Sequence, residues 1–142
     1  NPKGFTLVET LIGLFITGMI VLMCTVPLMQ FLDYVQFSQV LSTFRQDVNV
    51  VRQHNLTPGN SFLQLRIYPA SQKYEVQYVS TLDVYIRREL PKNINLSCSG
   101  TLCTISFNSV GNISQARTLQ ATSSYFKKQL VFSVGGGGLD IR

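Results

Sequence analysis

Residues 10–32 carry no charged side chain and are apolar almost throughout. As a helix, 23 residues would extend about 34 Å, against a hydrocarbon core of about 30 Å. The run therefore predicts a single-pass membrane segment near the N-terminus. A secretory signal would have an apolar region of about 7–15 residues and a small-residue cleavage site behind it. This run is longer, and no A-x-A pattern follows it. Beyond the run the helical period persists while the composition changes. Tyr34, Phe37, Leu41, Phe44, Val48 and Val51 recur at intervals of three and four, an apolar stripe along one helix face. Asp33, Gln36, Ser38, Gln39, Arg45, Gln46, Asp47, Asn49 and Arg52 fill the other faces. One helix is expected over residues 5–53, apolar all round in 5–32 and amphipathic in 33–54. The stripe covers about two and a half heptads, short of what a coiled coil needs, so it predicts packing on a sheet. Pro58 and Gly59 punctuate residues 55–60 and end the helix.

After Ser61 the period becomes two. Residues 62–68 and 73–79 alternate on either side of Pro69. Further strands are expected at 84–87, 94–98, 102–108, 113–119, 129–134 and 139–142, with a turn at Gly111-Asn112 and four glycines at 135–138. Closely spaced strands joined by short turns predict an antiparallel sheet, and the amphipathic helix has only that sheet to bury its stripe against. The expected fold class is α+β: a long helix over residues 5–54 and a sheet domain over residues 55–142.

Composition narrows the chemistry. Charged residues make up 13% and hydrophobic residues 45% of the 142 residues, which argues against disorder, a state of high charge and little apolar surface. The chain opens on Asn1, and a few polar or basic residues are expected before it. One histidine and three cysteines supply no catalytic constellation, and no Ser-His-Asp arrangement, Walker loop, zinc-protease or dinucleotide motif is present. We expect no enzymatic activity, cofactor or metal. His54 falls at the helix end, where an imidazole can interact with the last carbonyls. Cys98 and Cys103 bracket four residues. If Gly100-Thr101 forms a tight hairpin turn, the two face each other closely enough for a disulfide; two free thiols and a zinc half-site are the alternatives. The net charge of +5 resides in residues 55–142. Arg87, Arg88, Lys127 and Lys128 are candidates for a patch binding DNA or an acidic partner, against the plainer reading of solvated, edge-protecting charge.

The residues before the apolar run carry a further signal. Lys3-Gly4-Phe5-Thr6-Leu7-Val8-Glu9 followed by a long apolar helix resembles the prepilin signal of type IV pilins and pseudopilins. The resemblance implies cleavage between Gly4 and Phe5 by a prepilin peptidase, N-methylation of Phe5, and an assembly role for Glu9. A carboxylate in lipid needs a cation, and the new amine of a neighbouring subunit's Phe5 would supply one. Glu9 as an interfacial residue favoured by the helix dipole is the alternative. Pro27 matches a proline common in such helices, which implies a kink or local melting there. Ile105-Ser106-Phe107-Asn108, Gly111-Asn112 and the glycine run before Leu139-Asp140-Ile141-Arg142 resemble competence-pilus minor pseudopilins of the ComGD type, although Leu139 stands where that type has an arginine. The implied role is structural, in a pilus for DNA uptake. Implied partners are other major and minor pseudopilins, the prepilin peptidase, the assembly platform and, through it, its ATPase, and membrane lipid before assembly; direct contact with DNA rests only on the basic candidates above. The implied locations are the cell membrane, then the surface pilus. A type II secretion pseudopilin and a signal-anchored surface domain that binds a ligand or DNA are the rival readings.

Overall fold

The computed structural model describes residues 6–98, 103–133 and 139–142. Among the described residues one α-helix, α1 (Leu7–Leu56), is followed by eight strands, β1 (Leu63–Tyr68), β2 (Lys73–Tyr78), β3 (Val84–Glu89), β4 (Asn95–Cys98), β5 (Cys103–Ser106), β6 (Arg117–Thr122), β7 (Lys127–Phe132) and β8 (Leu139–Ile141), with a short 3-10 turn, Pro69–Ser71, between β1 and β2. All the pairings are antiparallel, and the fold is α+β with a pilin-like arrangement of one long helix against sheets.

The helix begins where Thr6, in extended conformation, caps the first turn. It runs three residues past the expected end, to Leu56. Its stripe behaves as its spacing demands. Phe37, Leu41, Phe44, Val48 and Val51 are buried, each contributing about 1.5–3 kcal/mol relative to exposure. Tyr34 departs from the stripe: it stays half-exposed with its ring edge on Phe126, one turn before Phe37, where burial of the apolar face begins.

The expected single sheet is two sheets. One has the order β3-β2-β1-β5 and the other β4-β6-β7-β8. The expected hairpin between β4 and β5 does not form. β5 instead pairs with β1, setting Ile105 opposite Leu65 and Cys103 opposite Ile67, all four buried. That pairing closes an edge of β1 that would otherwise present unpaired backbone beside its inward-facing leucines. β4 pairs with β6, with Cys98 opposite Leu119. The strand expected at 113–119 begins later, at Arg117. Ile113 makes only an isolated bridge to Phe107, because the intervening turn is shaped by Asn108, whose Oδ1 accepts from the amides of Val110 and Asn112.

The inner faces of both sheets meet the helix in one core, with Leu65, Val76 and Ile105 from the first and Leu96, Leu119, Leu130 and Phe132 from the second. Two positions fasten the far end of the helix. The Asn55 side-chain amide donates to the carbonyls of Leu63 and Phe107, each at 2.9 Å, and its Oδ1 accepts from the Leu63 amide at 2.7 Å. Gly111, at φ +78°, lets its carbonyl accept from Arg52 Nε at 3.0 Å; a Cβ there would lie 3.1 Å from Leu56 and 3.2 Å from Arg52.

Candidate functional site

The helix has two regimes. From Leu7 to Leu32 its large apolar side chains are exposed, and burial starts at Asp33. The exposed half is long and apolar enough to cross a membrane. Its polar side chains fit that solvent. Thr10, Thr17 and Thr25 donate their hydroxyls to the carbonyls of Leu7, Gly13 and Leu22, each at 2.8 Å, so none needs water. Cys24 is an exposed free thiol on this half. The helix continues through Pro27 without local melting, although the proline supplies no amide to the ladder.

Glu9 lies in the first turn, and its amide donates to Thr6 Oγ1 at 3.3 Å. Among the described residues no cation pairs with it. Its place there suits the positive end of the helix dipole and leaves the carboxylate available to a partner. Gly4 and Phe5, the expected processing residues, lie outside the described residues, as do Gly100-Thr101 and the four glycines at 135–138.

At the lower end of the sheet domain, the head of the molecule, a polar collar grips the helix where it leaves the apolar half. Asp33 Oδ1 accepts from Asn93 Nδ2 at 2.7 Å; its Oδ2 accepts from Ser123 Oγ at 2.7 Å and from the Tyr125 amide at 3.3 Å. The Ser123 hydrogen bond, above all, holds the Asp33 carboxyl below its usual range; burial opposes it, and Asn93 and the backbone add to it. Higher up, Asp47 Oδ2 accepts from the Tyr74 hydroxyl at 2.7 Å and pairs with Arg88 Nε at 3.3 Å. Burial, followed by the neighbouring Asp47, pushes the Tyr74 phenol upward. On the outer face of the first sheet, Glu75 is buried beneath Lys73 at 3.1 Å and Arg87 at 2.8 Å, with Gln77 at 2.6 Å. Burial alone would raise the Glu75 carboxyl, but those hydrogen bonds outweigh it and hold it low.

The basic candidates are not assembled into one patch. Arg87 and Arg88 are on β3 in the first sheet, each committed to an ion pair, while Lys127 and Lys128 are on β7 in the second. Arg88 flanks the helix beside Val40 and Thr43, and Lys128 flanks it beside Ser38 and Ser42, on opposite sides by helical spacing. His54 does not turn to the helix-end carbonyls. Its ring lies 6.2 Å from those of Tyr78 and Tyr85, in an aromatic cluster at the end of the head away from Asp33. Cys98 and Cys103 form a disulfide with a Cα separation of 6.3 Å, and it joins the two sheets rather than the strands of a hairpin. Periodicity assigned Asp33 and Asp47 to the polar faces. Asp33 lies four residues before Phe37 and Asn55 four after Val51, so the spacing that defines the stripe also finds its two polar ends.

The prokaryotic N-terminal methylation motif matches residues 1–25, the segment that holds Gly4, Phe5 and Glu9 and leads into the exposed helix. It supports a type IV pilin-like protein. A motif of this kind, with the apolar helix behind it, implies a membrane anchor and association with other pilins and a prepilin peptidase. No curated protein and no solved structure matches the chain.

Proposed function

We propose that this chain is a minor pseudopilin of a competence pilus, a structural subunit for DNA uptake. It is cut after Gly4, methylated on Phe5, and drawn by its helix from the membrane into a filament. The observation that carries this reading is one continuous helix, Leu7–Leu56, that begins within the methylation motif, is bare through Leu32 and is embedded in the head from Asp33 onward. A bare apolar half-helix needs lipid or other helices around it, and a subunit that passes between membrane and shaft meets both in turn. Glu9 is the registry element: its charge is costly in lipid and is relieved when a neighbour's Phe5 amine reaches it. The competence assignment rests on the C-terminal pattern, where β7 and β8 pair on either side of the glycine run.

The test has two parts. Mass spectrometry of the protein from sheared surface filaments should find a chain beginning at methylated Phe5, and Gly4→Val should leave the leader attached and empty the filament fraction. Deleting the gene should abolish transformation while leaving protein export intact. An intact leader on the mature protein removes the pseudopilin reading, and loss of export without loss of transformation moves the chain to a secretion pseudopilin.

A further inference from the structure

The helix fixes where the head meets the membrane, and the residues there form a surface of their own. Residues 10–32 are uncharged and span about 34 Å, so Asp33 falls at the edge of a hydrocarbon core of about 30 Å. The head grips the helix at that level. Asn93, from the β3–β4 connection, and Ser123 and Tyr125, from the β6–β7 connection, all bond Asp33. These two connections are therefore the underside of the head, while His54, Tyr78 and Tyr85 lie at its opposite end.

The underside has the chemistry of a membrane interface. Tyr34 and Tyr125 are 51% and 50% exposed, at the depth where tyrosine is favoured between lipid and water. A cleft of about 610 Å³ opens there, lined on one wall by Met29, Phe31 and Leu32 and on the other by Asn93 and Tyr125. Lys92 and Lys127 stand beside Asn93 and Tyr125, both exposed, and neither forms an ion pair among the described residues. Asp33 has its oxygens occupied by Asn93, Ser123 and Tyr125, and of the acids near this level only Glu89, exposed at the end of β3 beside Gln36 and Pro91, offsets the two lysines.

We propose that the underside of the head, formed by Tyr34, Lys92, Tyr125 and Lys127, seats on anionic phospholipid headgroups while the helix is in the membrane. This inference rests on the membrane reading of the helix. The charge complementarity favours anionic lipid over a zwitterionic surface: each lysine near such a surface gains attraction that falls off within a Debye length. The seat holds the head upright on its stem, and extraction into a filament has to break it.

The chain contains no tryptophan, so Tyr125→Trp installs a single depth probe on an exposed position, and Tyr85→Trp supplies the control at the far end. The full chain is reconstituted in vesicles of phosphatidylglycerol and brominated phosphatidylcholine, and flotation is measured on the same samples. Tyr125→Trp fluorescence should be quenched by bromines near the headgroups about twofold more than by bromines near the bilayer centre, as expected for an interfacial aromatic, and the control should not be quenched. Lys92→Glu with Lys127→Glu should shift the seated population by more than about 30-fold, since about 30-fold corresponds to losing the two attractions alone, the shift that high salt should produce. Flotation with both probes unquenched overturns the seat and leaves the membrane reading standing. Failure to float overturns the membrane reading itself. Equal quenching in purely zwitterionic vesicles, unaffected by charge reversal and salt, overturns the assignment to anionic lipid.

Discussion

Removing Asp47 tests whether a buried acid on the helix holds the head to its stem. The Tyr74 hydroxyl donates to Asp47 at 2.7 Å with both residues almost wholly buried, and Arg88 reaches the same oxygen at 3.3 Å. A hydrogen bond to a charged acceptor contributes about 1.5–3 kcal/mol. Arg88 is half-exposed, so solvent screening holds its share to about 0.2–1 kcal/mol. Asp47→Ala should therefore cost about 2–4 kcal/mol, part of it from the Tyr74 hydroxyl left without an acceptor. Tyr74→Phe keeps the ring that packs edge-on against Phe44 and removes only the donor. The double variant should cost less than the two singles together, with a coupling of about 1.5–3 kcal/mol. The assay is equilibrium urea unfolding of the full chain in detergent micelles, read by the near-ultraviolet circular dichroism of its tyrosines. Additivity to within about 0.5 kcal/mol, or an Asp47→Ala cost no larger than that of an exposed residue, would refute the reasoning.

Four further outcomes follow from the same structure. Reducing the Cys98–Cys103 bond, which closes a short loop between the sheets, should lower stability by about 2 kcal/mol on the chain-entropy estimate, read as a drop in urea midpoint that Cys98→Ser with Cys103→Ser reproduces. Gly111→Ala should cost about 1–3 kcal/mol, since φ there is +78° and a Cβ crowds Leu56; wild-type stability would mean that the turn relaxes freely. Asp33 and Glu75 are held below their ordinary values of 3.8 and 4.5, so the folded form binds their protons less readily than the unfolded form. Their stabilisation is complete above those values and is lost as pH falls through the lower folded ones, and Asp33→Asn or Glu75→Gln should flatten acid unfolding measured by circular dichroism. Tyr74 shifts the other way: raised above its ordinary 10.0, it contributes stability in full below that pH and loses it as pH rises, so its phenolate absorbance should emerge only together with alkaline unfolding and vanish in Tyr74→Phe.

The parts legible in the sequence are those written as periodicity. Spacing of three and four located the helix and five of its core residues, and alternation located β1 and β2 within a residue of their ends. Which strand pairs with which was not legible. Cys98 and Cys103, five apart, invited a local hairpin, whereas the fold spends β5 on β1 and β4 on β6. Alternation records which side of a strand is apolar and is silent about the neighbour across the ladder. The same blindness hid the buried acids. Asp33 and Asp47 read as surface because an uncompensated charge belongs there. Their compensation comes from Ser123 and Asn93 for one and from Tyr74 for the other, residues 27 to 90 positions away in the chain.

The position of these acids also accounts for how one helix serves two surroundings. An apolar stripe alone would let the head slide along the stem, since Leu32 and Leu41 are equally content against a sheet. Polar contacts at Asp33 and Asn55 bracket the buried segment, and each is satisfied by residues at one level only. Displacing the head by one helical turn would leave a charged oxygen and a buried amide unpaired, each costing about 1–3 kcal/mol or more. The apolar residues between them supply most of the binding energy, and the polar ends set the register. The covered length therefore stops at Asp33, and everything before it is left bare for lipid or for other helices.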